Sequence, residues 1–413
     1  MQTGRRRVAA VEKGNRKHKP DYILLLLCVL LLSIGLIVVY AISPGLSKQR
    51  NVSENYFVGK QLTAIALGII AFCITSQIPT TVWRRLEKPL LYSAGAAAVA
   101  VRLFGERVNG AYRWIQVGGL SFQAAELIKF ALLVWLAGFL TNRLKEGKIS
   151  DFDQTFKPLL IALAVVGLVV AKIQSDLGST GVMVAIMASM IYVVGLPLKR
   201  IAMIGGVIVI GTTLLICSTS YRRDRFATFM NPSRDCQTTG YQACQALIAV
   251  GSGGIAGLGL GKGVQAYGYL PEAANDSIFA IFAEKFGFIG VSILLGLFLA
   301  FFTRLKNIIE RAPDTYSRLL VVGVLAWLST QTLINIGAMI GLLPLKGITL
   351  PFISYGGTSL VFITAAIGVV FQISRYTSYS VSNIQVEEGI NRENITDGRR
   401  FRGAYRPGSR SSS

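Results

Sequence analysis

Proton transfer in this chain must run through carboxylates, lysine or tyrosine. Its 413 residues include one histidine, His18, inside a basic N-terminal segment, so no His-based triad or His-rich metal cluster is available. Four polar segments interrupt otherwise apolar sequence. The first, residues 109–115, holds Arg113 and Trp114, and the run after it holds Glu126 and Lys129. Glu126 and Lys129 share a helix face and can pair. An ionisable pair inside a span is costly and points to function, although a structural salt bridge accounts for it equally well. Trp114 suits an interfacial anchor as much as a ligand contact. The second segment, residues 174–180, places Asp176 at the start of a span, where helix N-capping is its simplest role. The third and longest begins near Ser218 and carries Arg222, Arg223 and Arg225. It continues into a glycine run over residues 251–263 that includes Lys262, and ends with Glu272 and Asp276. That run lacks a Walker lysine followed by Ser or Thr, and lacks the strand context of a dinucleotide fold, which argues against nucleotide binding. Its glycines let backbone approach a bulky ligand or another helix. The fourth segment, Gly347 to Gly357 with Ser354 inside it and Lys346 just before it, reads as a loop tolerated at membrane depth only where it lines a cavity.

Arginine and lysine suit a phosphate, and a carboxylate can deprotonate a hydroxyl. A lipid-linked sugar pyrophosphate meets both requirements. To act together, these residues must be carried to one face by the elements between them.

Those elements read as membrane helices. The chain is 52% hydrophobic and 15% charged, too little charge to cover a soluble surface of this size. Ten apolar runs, at residues 22–42, 57–78, 90–104, 122–140, 158–172, 178–194, 201–217, 278–302, 319–343 and 360–373, approach or reach the roughly 20 residues that cross a bilayer. Helices satisfy their own backbone in lipid, and the alternating pattern of a barrel is absent. The expected fold is all-α and integral to the membrane, with about ten transmembrane helices and a large extracytoplasmic loop between the seventh and eighth. The net charge of +21 is concentrated beside the spans and in the tails, at Arg5–Arg7, Lys13, Arg16, Lys17 and Lys19 and at five arginines from Arg399 to Arg410. Such placement marks the cytoplasmic side and a meeting with anionic lipid rather than nucleic acid, so both termini are expected inside. Lys48 and Arg50, in the first outer loop, depart from that bias. The first run has no small-residue cleavage site and more spans follow, so it is retained rather than removed.

The domain reading is a basic tail at residues 1–20, a polytopic membrane domain at 21–376 and a disordered cytoplasmic tail at 377–413. Cys236 and Cys244 share the long loop; they can pair in an oxidising compartment or stay free.

In this order, the four segments resemble the SEDS family (shape, elongation, division and sporulation) over nearly the whole membrane region. The signatures lie at residues 109–115, 174–180, 240–279 and 341–357. The resemblance implies a peptidoglycan glycosyltransferase of the bacterial cytoplasmic membrane that polymerises lipid II outside, with release of undecaprenyl pyrophosphate. Implied partners are lipid II, the undecaprenyl-linked glycan strand, a class B penicillin-binding protein of the transpeptidase type and other division proteins. The family's essential aspartate matches Asp276, its Arg-Trp tryptophan matches Trp114, and its helix-four Glu and Lys match Glu126 and Lys129. Arg113, Trp114, Glu126, Lys129, Asp176, Arg222, Arg225, Lys262, Glu272, Lys346 and Ser354 are the expected substrate-binding set. A divalent cation, Mg or Mn, is an expected cofactor. Several positions depart from the family pattern: Ala274, Asn275 and Ser277 around the aspartate, Ala124 and Ala125 before Glu126, and Lys285 after Glu284. Residues 346–351 look more like the division branch than the elongation branch, which places the chain at the septum. Three other readings stand beside this one: a lipid II flippase, an elongation polymerase and a non-catalytic division scaffold.

Overall fold

The computed structural model describes residues 15–108, 111–117, 120–218, 220–231, 236–238 and 240–378; within these, the Arg222 side chain lies outside what is described. The expected runs are helical. They form α1 (Tyr22–Arg50), α2 (Tyr56–Thr75), a short α3 (Thr80–Arg85), α4 (Glu87–Phe104), α5 (Ala124–Lys145), α6 (Lys157–Val166), α7 (Leu177–Val194) and α8 (Leu198–Cys217). After two further helices in the long loop, α9 (Ser220–Met230) and α10 (Tyr241–Ser252), come α11 (Ile278–Arg311), α12 (Thr315–Met339) and α13 (Gly357–Ile373). Among the described residues, seven helical stretches are long and apolar enough to cross a membrane: α1, α2, α5, residues 152–173, α7, α11 and α12. The 17-residue α13 is apolar but shorter.

Three differences from the sequence expectation have physical causes. First, the loop at 105–120 is largely a meander of β2 (Glu106–Val108), β3 (Ala111–Val117) and β4 (Leu120–Gln123), in which Trp114 faces Gln123 across the β3–β4 ladder. It hands the chain directly to α5. Second, the fifth apolar run is not one regular helix: π-helical turns at Phe152–Phe156 and Gly167–Ile173 flank α6. Third, the loop after α8 is substantially helical. Lys48 and Arg50, which broke the charge bias, occupy the last turn of α1. A helix C-terminus attracts cations there regardless of membrane side.

Helices pack closely where glycine permits. A Cβ at Gly68 of α2 would lie 2.9 Å from Thr364 Oγ1 of α13, and one at Gly35 of α1 would lie 2.5 Å from the Phe352 carbonyl oxygen. The core is one apolar cluster drawn from α1, α5, α7, α11, α12 and α13. At one end of the bundle, β1 (Asn15–Lys17) pairs antiparallel with β5 (Tyr376–Ser378), tying the N-terminal approach to α1 to the exit from α13. The rest of both tails lies outside the described residues. At the other end, the polar segments converge.

Candidate active site

Two amides on α12 organise that end. Gln331 and Asn335 are one helical turn apart and both are buried in an apolar helix. Asn335 Nδ2 donates to the Asp276 carbonyl and to the Ile348 carbonyl, both at 2.7 Å. Gln331 Nε2 donates to the Thr349 carbonyl at 2.9 Å and to its hydroxyl at 3.1 Å. α12 therefore holds the backbone before α11 beside the segment at 346–350. Ser354 closes the same joint: its hydroxyl donates to the Asn275 carbonyl at 2.6 Å and accepts from Leu350 N at 2.7 Å. Tyr355 N donates to the Ala274 carbonyl at 2.8 Å.

The Asp276 side chain is left poised by these backbone restraints. Its Oδ1 is buried and has no hydrogen-bond partner among the described residues. A buried polar atom without a partner is uncommon and points to strain or function. Burial, then the nearby Glu272 carboxylate, pushes the Asp276 carboxyl up to about 7, against the pull of Arg225 and of backbone N–H groups at Asp276 and Ser277. Glu272 occupies the left-handed backbone region at φ 51° and accepts a hydrogen bond from Asn275 Nδ2. Arg225 Nη1 donates to the Leu345 carbonyl at 3.2 Å. It lines a cavity between α9, α10 and the end of α12 with Thr228, Gln242 and Leu343. Gln242 Nε2 reaches Ser277 Oγ at 3.2 Å, and that hydroxyl donates to the Pro271 carbonyl at 2.9 Å. Cys236 and Cys244 form a disulfide across the start of α10.

The second segment joins from α7. Arg113 donates to the Gln174 carbonyl at 2.9 Å and to the Ser175 carbonyl at 2.6 Å, where Ser175 has φ 53°. Asp176 caps α7, accepting from Ser179 N at 2.9 Å and Ser179 Oγ at 2.8 Å. A Cβ on Gly178 would sit 2.5 Å from Ile348 and 3.4 Å from the Lys346 Cβ, so this cap abuts the 346–350 segment. Glu126 and Lys129 are both buried and pair at 2.8 Å. Lys129 also reaches Gln331 Oε1 at 3.3 Å and lies 5.0 Å from the Trp327 ring, whose Nε1 donates to the same oxygen at 2.8 Å. The pair is thus linked through Gln331 and Thr349 to the 346–350 segment.

Arg113, Asp176, Glu126, Lys129, Lys346, Ser354, Glu272, Arg225 and Asp276 are connected by this chain of contacts. Trp114, in β3, is half-buried, and Lys262 is exposed on the glycine loop; no contact described joins either to Asp276. Arg222 lies on α9, with its side chain outside the described residues. Sequence reasoning passed over Gln331, Asn335 and Gln242. The first two carried a signal, since two amides four residues apart in an apolar span are expensive unless they bind something.

Lys285, where the chain departs from the family pattern, and its neighbour Glu284 have structural roles. Glu284 accepts from Val264 N at 2.9 Å and Gln265 N at 3.2 Å, while Lys285 Nζ donates to the Leu260 carbonyl at 2.9 Å. Both fasten the glycine loop to α11, which breaks at Gly287. Among the described residues no three His, Cys, Asp or Glu side chains cluster tightly enough to hold a metal by themselves.

Comparison with known proteins supplies the family. The profile of the FtsW/RodA/SpoVE cell-cycle proteins matches residues 22–379. The chain belongs to this SEDS family. It is 37% identical to "Stage V sporulation protein E" of Bacillus subtilis over 88% of this chain and 99% of that protein. It is 36% identical to the "Probable peptidoglycan glycosyltransferase FtsW" of Saccharophagus degradans, over 86% of this chain and 92% of that one. Among solved structures, a chain of a peptidoglycan synthase complex, described under "Structural coordination of polymerization and crosslinking", superposes with TM-score 0.70 at 26% identity, covering 86% of this chain and 98% of that one. The Thermus thermophilus rod shape determining protein RodA superposes with TM-score 0.63 at 26% identity, covering 86% and 97%. A SEDS chain is thus a multi-pass helical membrane protein of RodA-like fold.

Proposed function

We propose that this SEDS chain is a peptidoglycan glycosyltransferase that polymerises lipid II into glycan strands at the division septum. The observation that carries the reading is the Asp276 carboxylate. It is half-buried, its Oδ1 is closed off from solvent and unpartnered among the described residues, and its backbone is held in place, in a chain similar to proteins named for that activity. In the proposed reaction the acceptor sugar's 4-hydroxyl loses its proton to Asp276 as its oxygen attacks the donor's anomeric carbon. The bond from that carbon to the pyrophosphate oxygen breaks, and undecaprenyl pyrophosphate leaves with the electron pair. Attack from the opposite face inverts the anomeric centre. A carboxyl near 7 suits a general base at neutral pH. Arg225 and Lys346 stabilise the departing phosphates; Arg113 and Asp176 act by shaping the backbone against which Lys346 stands.

A divalent cation such as Mg or Mn fits this site only in partnership with substrate. Magnesium is held by one or two carboxylates plus phosphate oxygens, and Asp276 with Glu272 supplies that number. The cation would neutralise the pyrophosphate.

The wider reading has ten spans, both termini in the cytoplasm and the Asp276 face outside. A class B penicillin-binding protein is the proposed partner, as implied by the similarity to a synthase complex. The test is polymerisation of lipid II by the purified chain in detergent, with and without that partner. Asp276→Asn is expected to lower the rate at least 10²-fold while inserting normally. A near-normal rate in the Asn variant refutes the base. Polymer formed in detergent, where there is no bilayer to cross, separates a polymerase from a flippase. Absence of polymer from the wild type under every metal and partner condition leaves a scaffold.

A further inference from the structure

The end of the bundle away from Asp276 holds a second site. A cavity of ≈ 360 Å³ opens where α1 begins, α11 ends and the β1–β5 ribbon crosses. Lys19, Arg304 and Arg311 line it, with His18, Asn307 and a single acidic group, Asp21. Asp21 is already engaged: its Oδ1 accepts from Leu24 N at 3.0 Å as the cap of α1, and from Arg304 Nη2 at 3.4 Å. Arg304 Nε is buried with no hydrogen-bond partner among the described residues. Lys19 and Arg311 are exposed and have no ion pair among the described residues. The nearest other acid on α11, Glu310, is paired with Lys306 at 3.7 Å. Three full positive charges therefore face one committed negative charge, with the positive end of a 29-residue helix beside them.

The rim is apolar. Tyr22 and Ile23 line the same cavity and are 59% and 51% exposed, at the point where α1 becomes continuously hydrophobic. A ligand with an anionic head and an apolar body satisfies both parts. A soluble anion would use the cations and leave the apolar lip idle.

We propose that this cavity binds the phosphate of an anionic phospholipid headgroup in the leaflet that meets the tails, with an acyl chain lying along Tyr22 and Ile23. Arginine supplies planar, multiple donors for phosphate oxygens, and the Arg304 side chain, 31% exposed beside Asp21, keeps accessible surface on the cavity it lines. α1, α11 and α13 run from this cavity to the region of Asp276, so the bound lipid would tie together the three helices at their far ends.

Native mass spectrometry of the full chain in detergent, titrated with phosphatidylglycerol and separately with phosphatidylcholine, tests the site. Lys19→Gln/Arg311→Gln changes two exposed side chains and leaves the Asp21–Arg304 pair in place. Lys145→Gln/Lys199→Gln removes the same charge from exposed positions elsewhere. The expected result is one phosphatidylglycerol retained by the wild type and by the second variant. Its Kd is expected to be roughly 25-fold weaker in the first variant, about fivefold per cation removed. Equal weakening in both variants, or equal retention of phosphatidylcholine, overturns the site by reducing it to general attraction. A third arm adds inorganic phosphate alone and follows thermal unfolding. Stabilisation by phosphate that the first variant lacks, without selective lipid retention, keeps the phosphate site and overturns its lipid source.

Discussion

At the scale of single residues, the Asp276 environment makes a pH prediction with a definite sign. A base must be ionised to work, and burial with Glu272 alongside holds this carboxyl protonated up to about pH 7. Polymerisation is expected to fall as pH drops through that value, approaching tenfold per unit, and to level off above it. Glu272→Gln removes a like charge and moves the inflection to lower pH. Arg225→Gln removes an opposite charge and moves it higher. The pH profile of kcat/KM for the two variants checks this; unshifted inflections in both would remove Asp276 from the titration. A second prediction concerns Glu126 and Lys129. Lys129→Met leaves Glu126 charged in the interior and is expected to cost about 3–5 kcal/mol in stability. Glu126→Gln/Lys129→Met should recover most of that in thermal unfolding, since no lone buried charge remains. If the recovered double variant polymerises normally, the pair is a structural tie; if it is stable and inactive, the pair serves the reaction. Glu126 and Lys129 were legible in the sequence because ionisable groups stand out in an apolar run, whereas Asp276, in a polar loop, was singled out by the family resemblance. Gln331 and Asn335 carry a weaker signal of the same kind, two uncharged amides in an apolar span, and what they hold shows only once their distant carbonyl partners are known.

Secondary elements show where periodicity informs and where it fails. Apolar runs located the long helices because lipid forces backbone satisfaction within each segment. The meander at β2–β4 and the helices α9 and α10 were read as loop. They are short and stabilised by the local Cys236–Cys244 bridge and by contacts distant in sequence such as Gln242–Ser277 and Arg225–Leu345. The glycine run was recognised as allowing close approach, with its partner left open between ligand and helix. Part of the answer is a helix. Leu258 N and Gly259 N donate to the Glu284 and Lys285 carbonyls, and Phe288 N and Ile289 N donate back to the Gly254 and Ile255 carbonyls, around the break at Gly287. Gly257 sits at φ +81°, and a Cβ there would lie 2.2 Å from the Lys285 carbonyl oxygen. Gly257→Ala should therefore carry about 1–2 kcal/mol of backbone strain plus about 1–3 kcal/mol for the displaced helix. Gly261→Ala, which meets open space, should stay within about 0.5 kcal/mol of wild type. Thermal unfolding of the two variants side by side reads the difference. Equal behaviour would mean that the loop is not docked on α11.

At the scale of the whole molecule, the arrangement predicts which surface faces which compartment. α2 and α13 run in the same direction, since Phe57 meets Tyr355 edge-on near their starts and Phe72 packs at a tilt against Phe371 near their ends. Both lead from the Asp276 end to the ribbon of β1 and β5. The cation-rich turns follow the same polarity: Arg84 of α3 contacts Asn142 near the end of α5 and lies 5.8 Å from the Tyr316 ring at the start of α12. Lys145 and Lys148 follow α5, and Arg311 ends α11. Positive residues beside spans are retained in the cytoplasm, so that end should face inward and Lys262 should face outward. Single cysteines at Lys148→Cys and Lys262→Cys, in a chain with Cys28, Cys73 and Cys217 replaced by serine, make the test. The disulfide keeps Cys236 and Cys244 unreactive. A membrane-impermeant maleimide added to intact spheroplasts is expected to label the Lys262→Cys chain at once. The Lys148→Cys chain should react only after permeabilisation. The reverse pattern would put Asp276 on the cytoplasmic face, where a polymerase of exported lipid II could not meet its substrate, and would favour a role before translocation instead.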